Sequence, residues 1–383
     1  MDTPMYKRLL TLPTETDSSY FLFGPRGTGK TTWLKSHLPN STYIDLLDQK
    51  IYFELSANPG QLSEYFTEDR SQWIIIDEVQ KIPALLDEVH RYIENEKRRF
   101  ILTGSSARSL RKKGVNLLAG RAYQLSMHPL TAIELGDDFD LKKSLETGNL
   151  PKAYETLDPE KFLANYINTY LREEVLQEGL TRNIQTFHRF LETASFSHGE
   201  QLNMSTIARE IGVDQKVVAN YFYILEDLLI AYRLPVFTRQ AKRKLSQHAK
   251  FYYFDAGIYQ NLRPKGPLDN KQEINGAALE GLFLQELKAI NAYLDKRYNF
   301  YFWRTQAGKE VDIILYGQNG FKAFEIKLTD RFNKKDLSGL KSFAEDYPEA
   351  ECYFIYQGEQ EKIINGIKIL PANIALKKLS SLL

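Results

Sequence analysis

The chain has 383 residues, with 50 lysines and arginines against 49 aspartates and glutamates, and 43% of its residues are hydrophobic. At ~150 residues per domain this length predicts two or three domains and excludes a small disulfide-stapled module. Because the net charge is only +1, binding of an anionic polymer would have to depend on local basic segments.

Cysteine content and the lack of long apolar runs indicate where the protein resides. Cys352 is the single cysteine, so the chain cannot form an internal disulfide, and the apolar run around it indicates a buried small side chain. No window approaches the ~18 consecutive apolar residues of a membrane span, and residues 1–11 lack the apolar core of a secretory signal. We therefore expect a cytoplasmic protein with no membrane contact.

A short apolar strand from Tyr20 leads into a glycine-rich turn and the start of a helix. The turn fits the pattern G-x-x-x-x-G-K-[ST], in which glycines let backbone N–H groups curl around a phosphate and the helix N-terminus favours negative charge. The predicted nucleotide-binding residues are Gly24, Pro25, Arg26, Gly27, Thr28, Gly29, Lys30, Thr31 and Thr32. Lys30 would reach the β and γ phosphates of ATP, and Thr31 would supply a hydroxyl to Mg²⁺.

A second apolar run, residues 73–76, ends in the two acids Asp77 and Glu78. Such a run is typical of a parallel strand buried on both faces, and its polar end belongs at the carboxyl edge of the sheet. There Asp77 can hold Mg²⁺ through water or Thr31, and Glu78 can orient or deprotonate the attacking water.

A third apolar run, residues 99–104, precedes small hydroxyl residues. A hydroxyl at the same sheet edge can sense the γ phosphate, which makes Ser105 a candidate sensor; an ordinary serine-rich turn is the alternative. The surrounding segment 97–113 carries seven basic residues and no acid. It is either a solvated surface or a contact for DNA or for a neighbouring subunit's phosphates.

Five segments together resemble a family of bacterial and archaeal AAA-type ATPases. They are residues 24–32, 74–80, 102–106, 118–121 and 128–134. In that family the ATPase module precedes a winged helix and a restriction-endonuclease-like domain of undefined role. The resemblance covers nearly the whole chain and implies domains at 1–155, 156–250 and 251–383. It also implies that Arg121 faces phosphate, as an arginine finger acting on a neighbour in an oligomer; a structural contact to an acid is the alternative.

The middle of the chain predicts helices. Apolar residues recur at threes and fours from residue 161 to 196, and residues 204–226 predict a helix-turn-helix with Asp214 as N-cap of the second helix. Such a helix can lie in a DNA major groove, although its Val, Tyr and Phe content favours packing.

Residues 239–250 carry five Lys or Arg and no acid. They resemble a basic wing that would bind DNA phosphates with steep salt dependence, or else form a solvated hairpin tip.

Four charged residues in the last third follow the order of a PD-(D/E)xK nuclease site. Glu280 lies on the apolar face of a predicted helix, and Asp312 lies on a predicted strand. Glu325 and Lys327 stand two apart, hence on one face of the next strand. In such a site Asp312, Glu325 and the Ile326 carbonyl would bind Mg²⁺, and Glu280 would either bind the metal as well or support its ligands. Lys327 would orient water or stabilise charge. The usual proline before the strand aspartate is Val311 here.

Together these patterns predict an α/β protein in three parts. A P-loop parallel sheet with flanking helices precedes an α-helical winged-helix domain and a mixed α/β restriction-endonuclease-like domain. We expect Mg²⁺-dependent ATP hydrolysis coupled to DNA engagement, with ATP-gated DNA cleavage by the last domain as one outcome. The alternative is a nucleotide-dependent switch whose C-terminal domains dock DNA or protein without cutting.

Overall fold

The computed structural model describes residues 6–13, 17–105, 121–171, 175, 183–239, 243, 245 and 248–383. These residues form two compact units. The P-loop unit consists of the described residues of 8–128 together with 227–229. The second unit consists of the described residues of 1–7, 129–226 and 230–383.

A five-stranded, all-parallel sheet forms the centre of the P-loop unit. Its strands are β1 (Ser19–Phe23), β2 (Thr42–Asp45), β3 (Trp73–Asp77), β4 (Arg99–Gly104) and β5 (Ala122–Ser126). The order across the sheet is β2-β3-β4-β1-β5, so β1 lies between β4 and β5. The predicted P-loop parallel sheet is therefore confirmed.

Helices cover this sheet because the apolar strands must be buried on both faces. They are α1 (Lys30–His37), α2 (Gln49–Ala57) and α3 (Leu85–Glu96), with short 3-10 helices at Pro59–Tyr65 and Val79–Lys81. Ile74 and Ile76 of β3 pack with Leu85 and Val89 of α3 in a core whose members are almost wholly buried. Burial of such side chains stabilises the unit by ~1.5–3 kcal/mol each.

The second unit begins with helices. They are α4 (Ala132–Leu135), α5 (Leu141–Thr147), α6 (Pro151–Glu155), α7 (Pro159–Asn165), a π-helix (Tyr166–Leu171), α8 (Ile184–Ser195), α9 (Met204–Ile211) and α10 (Gln215–Asp227). The turn between α9 and α10 holds Gly212 at φ 72°, and Lys216 N–H donates to Asp214 Oδ1 at 2.7 Å. The predicted helix-turn-helix and the N-cap of its second helix are present.

A small antiparallel sheet is formed by strands on both sides of the helix-turn-helix in the sequence. Its strands are β6 (Glu200–Gln201), β7 (Ala231–Leu234) and β8 (Lys250–Tyr253), in the order β6-β8-β7. Two helices come next, α11 (Ala256–Leu262) and the long α12 (Lys271–Tyr293).

A six-stranded mixed sheet completes the second unit. Its strands are β9 (Asn299–Arg304), β10 (Glu310–Gly317), β11 (Gly320–Ile326), β12 (Glu351–Tyr356), β13 (Lys362–Ile364) and β14 (Ile367–Pro371). They lie in the order β13-β14-β12-β11-β10-β9, and the helices are α13 (Ser338–Asp346), α14 (Ala372–Lys377) and α15 (Leu379–Leu382). The chain is thus α/β, with a parallel sheet in one unit and a mixed sheet in the other.

Two further predictions from the sequence concern the burial of Cys352 and the length of apolar helices. Cys352 is buried on β12, as its apolar neighbours predict. Among the helices that the structure describes, none is long and apolar enough to cross a membrane.

Candidate nucleotide site and acidic cluster

The glycine-rich turn joins β1 directly to α1. Gly27 and Gly29 adopt φ values of 82° and 91°, in the left-handed region that side chains disfavour. Gly24 is required for a different reason, because a Cβ there would lie 2.3 Å from the carbonyl oxygen of Met127. The predicted loop therefore uses its glycines for backbone curvature and for close approach to the chain that follows β5.

Lys30 is the first residue of α1 and is buried within the turn. Its ammonium group donates to the carbonyls of Gly24 at 2.7 Å and Pro25 at 3.2 Å. The hydroxyl of Thr28 also donates to the Pro25 carbonyl, at 2.9 Å. These bonds hold a positive charge inside the loop where the β and γ phosphates of a nucleotide would be bound.

Arg8 lies outside the sequence motifs and stabilises the glycine-rich turn through hydrogen bonds. Its guanidinium donates to the Thr28 carbonyl at 2.9 Å and to the His128 carbonyl at 2.6 Å. Arg8 is buried. A lone arginine near the chain start has no sequence pattern that would reveal this role.

Asp77 ends β3 and is the centre of the hydrogen-bond network at the carboxyl edge. Its Oδ2 accepts from the hydroxyl of Thr31 at 3.0 Å and from the hydroxyl of Tyr43, while its Oδ1 accepts from Thr103 at 3.2 Å. The carboxylate and hydroxyl oxygens form a donor set that fits Mg²⁺. Tyr43 and Thr103 were missed because the sequence does not show that β2 and β4 flank β3.

Glu78 follows Asp77 with φ 59°, a left-handed conformation that is uncommon outside glycine. Burial raises the pKa of its carboxyl, against the opposing effect of the Lys30 ammonium. The side-chain amide of Gln80 donates to Glu78. A Cβ on Gly104 would lie 2.2 Å from Gln80 Oε1, so the small residue at the end of β4 leaves room for this pair. A strained, half-buried acid at a sheet edge is typical of a functional position.

Ser105 and Arg121 occupy different environments. Ser105 is buried and directly follows β4, which lies between β3 and β1. It therefore shares the sheet edge with Asp77 and the turn, and its role as a sensor stays a prediction.

Arg121 forms an ion pair with Glu94 of α3, and both side chains are substantially exposed. This contact corresponds to the structural alternative for Arg121.

Two of the acids predicted for the last domain, Glu280 and Asp312, lie with a third acid, Glu310, around a buried lysine. The ammonium group of Lys250, on β8, lies 2.7 Å from Glu280 Oε1, 2.6 Å from Glu310 Oε1 and 3.1 Å from Asp312 Oδ1. Lys250 is only 2% exposed. Glu280 lies on α12, and Asp312 on β10 next to a shift in strand register. We call Lys250 with these three acids the acidic cluster.

Each acid of the acidic cluster also has a second partner. Asp312 Oδ2 accepts from the backbone N–H of Ile326 at 2.8 Å. Glu310 Oε2 accepts from Arg304 at 2.8 Å, and Glu280 accepts from the hydroxyl of Tyr252. Glu310 was missed, although Glu310 and Asp312 share one face of an alternating strand.

The two remaining predicted residues, Glu325 and Lys327, pair with each other at 2.9 Å. Glu325 is buried at the end of β11, and burial raises the pKa of its carboxyl. Burial alone would also raise the pKa of Asp312, but the Lys250 and Lys327 ammonium groups outweigh it and the pKa is lowered. Burial and the charge of Asp312 raise the pKa of Glu280 to about 7.

The acidic cluster does not fit a divalent cation at the place that Lys250 occupies. Ammonium–carboxylate separations of 2.6–3.1 Å surround that point, whereas Mg²⁺ requires oxygens at ~2.0–2.1 Å. Within the described ranges, no three His, Cys, Asp or Glu side chains converge as a metal site. The predicted Mg²⁺ site of Glu280, Asp312 and Glu325 stays a prediction.

The basic segments are only partly described, because residues 106–120, 240–242, 244, 246 and 247 lie outside the described residues. In segment 97–113, Arg98 donates to backbone carbonyls at 67 and 69, and Arg99 lies over the Trp73 ring. In segment 239–250, Arg243 pairs with Glu345 and Asp346. These three arginines of the basic segments therefore have intramolecular partners.

Residues 16–136 match the family model of the AAA domain. The part of the P-loop unit within these residues is therefore similar to the AAA domain. Residues 138–269 match a domain of unknown function, DUF8612, and residues 275–375 match another, DUF4143.

Two curated mycobacterial proteins resemble most of the chain. They are the uncharacterized proteins Mb2031c of Mycobacterium bovis and Rv2008c of Mycobacterium tuberculosis, each 28% identical over 350 residues, or 88% of this chain and 76% of theirs. Among solved structures, the ORC2 protein of Aeropyrum pernix in its ADP form aligns with 74% of this chain and 89% of its own. It is 12% identical to this chain, with a TM-score of 0.30.

Proposed function

We propose that the P-loop unit binds ATP with Mg²⁺ and hydrolyses it, so that the chain acts as a nucleotide-dependent switch. The observation that carries this proposal is the 3.0 Å hydrogen bond from Thr31 to Asp77. It joins the hydroxyl after the P-loop lysine to the acid at the end of β3, and β3 is separated from β1 by β4. Those two oxygens are the ones that an ATP-bound Mg²⁺ uses in P-loop enzymes.

The chain's own residues divide the work of hydrolysis. The backbone of the turn and Lys30 hold the phosphates, and Thr31 with Asp77 holds Mg²⁺, which neutralises phosphate charge when bound. Glu78 accepts a proton from the attacking water or orients it in line with the γ phosphate. Its raised pKa makes it a stronger base than an exposed glutamate.

The test is nucleotide binding and turnover measured on the full chain. Lys30→Ala should abolish binding of a fluorescent ATP analogue, whereas Lys50→Ala, at an exposed lysine of α2, should not change it. Glu78→Gln should bind ATP and lose hydrolysis, with Glu64→Gln, at an exposed glutamate, as its matched control. Full turnover by Lys30→Ala would remove the proposed function.

For the second unit we propose docking of DNA through the helix-turn-helix. Gln215, Lys216 and Asn220 are exposed on α10, while Val218 and Tyr221 are buried, so the polar residues share the accessible face. Binding to duplex DNA should weaken steeply with salt, and Lys216→Glu should weaken it further. If duplex DNA does not bind at low salt, a protein partner becomes the better candidate.

Cleavage of DNA by the last domain is the competing function. A panel of plasmid and single-stranded DNA, with and without ATP and Mg²⁺, separates the two. The docking proposal predicts no cleavage in any condition. Nicking that is lost in Asp312→Ala or Lys327→Ala would instead establish a nuclease.

A further inference from the structure

The acidic cluster is the strongest unexplained feature outside the nucleotide site. Its three carboxylates surround the ammonium group of Lys250, a residue that is almost inaccessible to solvent. Isolated buried charges are costly, so a group of acids in such a place requires a cation. That cation can be the ammonium group of a lysine or a divalent metal ion.

We propose that the ammonium group of Lys250 is the resident cation of the acidic cluster and stands where a PD-(D/E)xK site would hold its metal. While Lys250 is in place, this part of the second unit binds no divalent cation. The proposal concerns the second unit alone and is independent of ATP hydrolysis by the P-loop unit.

The hydrogen bonds of the surrounding carboxylates indicate that the ammonium group of Lys250 occupies a fixed position. Both oxygens of Asp312 are engaged, one by Lys250 and the other by the Ile326 N–H. Both oxygens of Glu310 are engaged as well, by Lys250 and Arg304. A metal at the same point would need those oxygens to turn away from donors that they already have.

Charge balance leads to the same conclusion. The cationic groups are Lys250, Arg304 and Lys327, and they face the carboxylates of Glu280, Glu310, Asp312 and Glu325. Three cationic groups against four carboxylates leave an excess of one negative charge without any metal, so a divalent cation added to them would leave an excess of positive charge.

Lys250 also connects parts of the second unit that are distant in sequence. Lys250 lies on β8 of the small sheet, whereas Glu280 lies on α12 and Asp312 on the mixed sheet. The cation is therefore supplied by the segment that precedes the last domain.

The test is Mn²⁺ binding by the full chain, stripped with EDTA and without nucleotide, followed through the EPR signal of free Mn²⁺. The wild type and Asp312→Asn should take up the same amount of Mn²⁺. Lys250→Ala should take up one additional Mn²⁺ per chain, and its melting temperature should rise with added Mn²⁺. Lys250→Ala combined with Asp312→Asn should lose both effects.

Lys322→Ala is the matched control. Lys322 is a buried lysine of β11 in the same unit, but it pairs with one half-exposed acid, Glu351, at 2.9 Å. Its removal should create no Mn²⁺ site.

Two results would overturn the proposal. One is Mn²⁺ uptake by the wild type that Asp312→Asn removes. The other is a folded Lys250→Ala, judged by circular dichroism, that gains no Mn²⁺. If Lys250→Ala does not fold, the comparison of wild type with Asp312→Asn decides, because it leaves the lysine in place.

Discussion

Thr31 and Asp77, 46 residues apart in the chain, are joined by a hydrogen bond of 3.0 Å. The bond brings the start of α1 against the end of β3, so the glycine-rich turn and the acid at the sheet edge lie together. Tyr43 and Thr103 donate to the same carboxylate, from β2 and β4. The acid is therefore oriented by three hydroxyl groups from three different elements.

Tyr43→Phe tests the orientation of Asp77. Burial and the hydrogen bond to Asp77 raise the pKa of Tyr43, so its hydroxyl is a neutral donor. A hydrogen bond to a charged group contributes ~1.5–3 kcal/mol, and we expect kcat for ATP to fall about tenfold. Steady-state ATPase assays over a range of Mg²⁺ concentrations measure this. Tyr65→Phe is the control, since its hydroxyl donates to exposed Glu54; equal rates for wild type and Tyr43→Phe would contradict the argument.

Gln80→Leu tests whether Gln80 positions Glu78. The amide hydrogen bond from Gln80 lowers the pKa of Glu78 against the larger effect of burial, so its removal should raise that pKa further. The acid limb of the kcat–pH profile should then move to higher pH, with ATP affinity unchanged. Gln49→Leu, at an exposed site on α2, should leave the profile as in wild type. An unshifted acid limb in Gln80→Leu would show that the amide does not act on Glu78.

Arg121→Ala distinguishes a structural arginine from an arginine finger. Because Arg121 pairs with Glu94 in its own unit, we expect Arg121→Ala and Glu94→Ala to keep kcat within roughly threefold of wild type, a change no larger than an exposed ion pair explains. Loss of an arginine finger would instead reduce the rate by ~10³ or more. Single-turnover ATPase rates at several protein concentrations decide between them. A rate that falls on dilution in wild type but not in Arg121→Ala would favour the finger.

His198 should make the second unit sensitive to acid. The Tyr253 N–H donates to His198 Nδ1 at 3.0 Å, and the ring stacks on Tyr259 with centroids 3.9 Å apart. Burial lowers the pKa of His198 from 6.5 to about 3. Between these values the unfolded chain binds a proton that the folded chain does not, so the free energy of unfolding should decrease as pH falls.

The expected slope is about 1.4 kcal/mol per pH unit below the ordinary histidine pKa. His198→Asn keeps an acceptor for the Tyr253 N–H and should flatten that slope in denaturant titrations. His188→Asn, at a half-exposed histidine of α8, should not. A slope that is the same in His198→Asn and wild type would refute the assignment.

The sequence alone predicted the glycine-rich turn and the strand before Asp77 because both patterns are local. The glycines and the lysine of residues 24–32 lie within nine positions, and the apolar run before Asp77 is typical of a buried strand. The same holds for the helix-turn-helix, where Gly212 and Asp214 set the end of one helix and the start of the next.

Tertiary structure alone decided which side chains meet. Tyr43 and Thr103 reach Asp77 because β2 and β4 flank β3, and strand order is not visible in a linear pattern. Lys250 was counted as one charge of a basic wing, yet it lies buried among three acids. A charge run in sequence shows how many cations exist, whereas burial and distance show which anions they already neutralise.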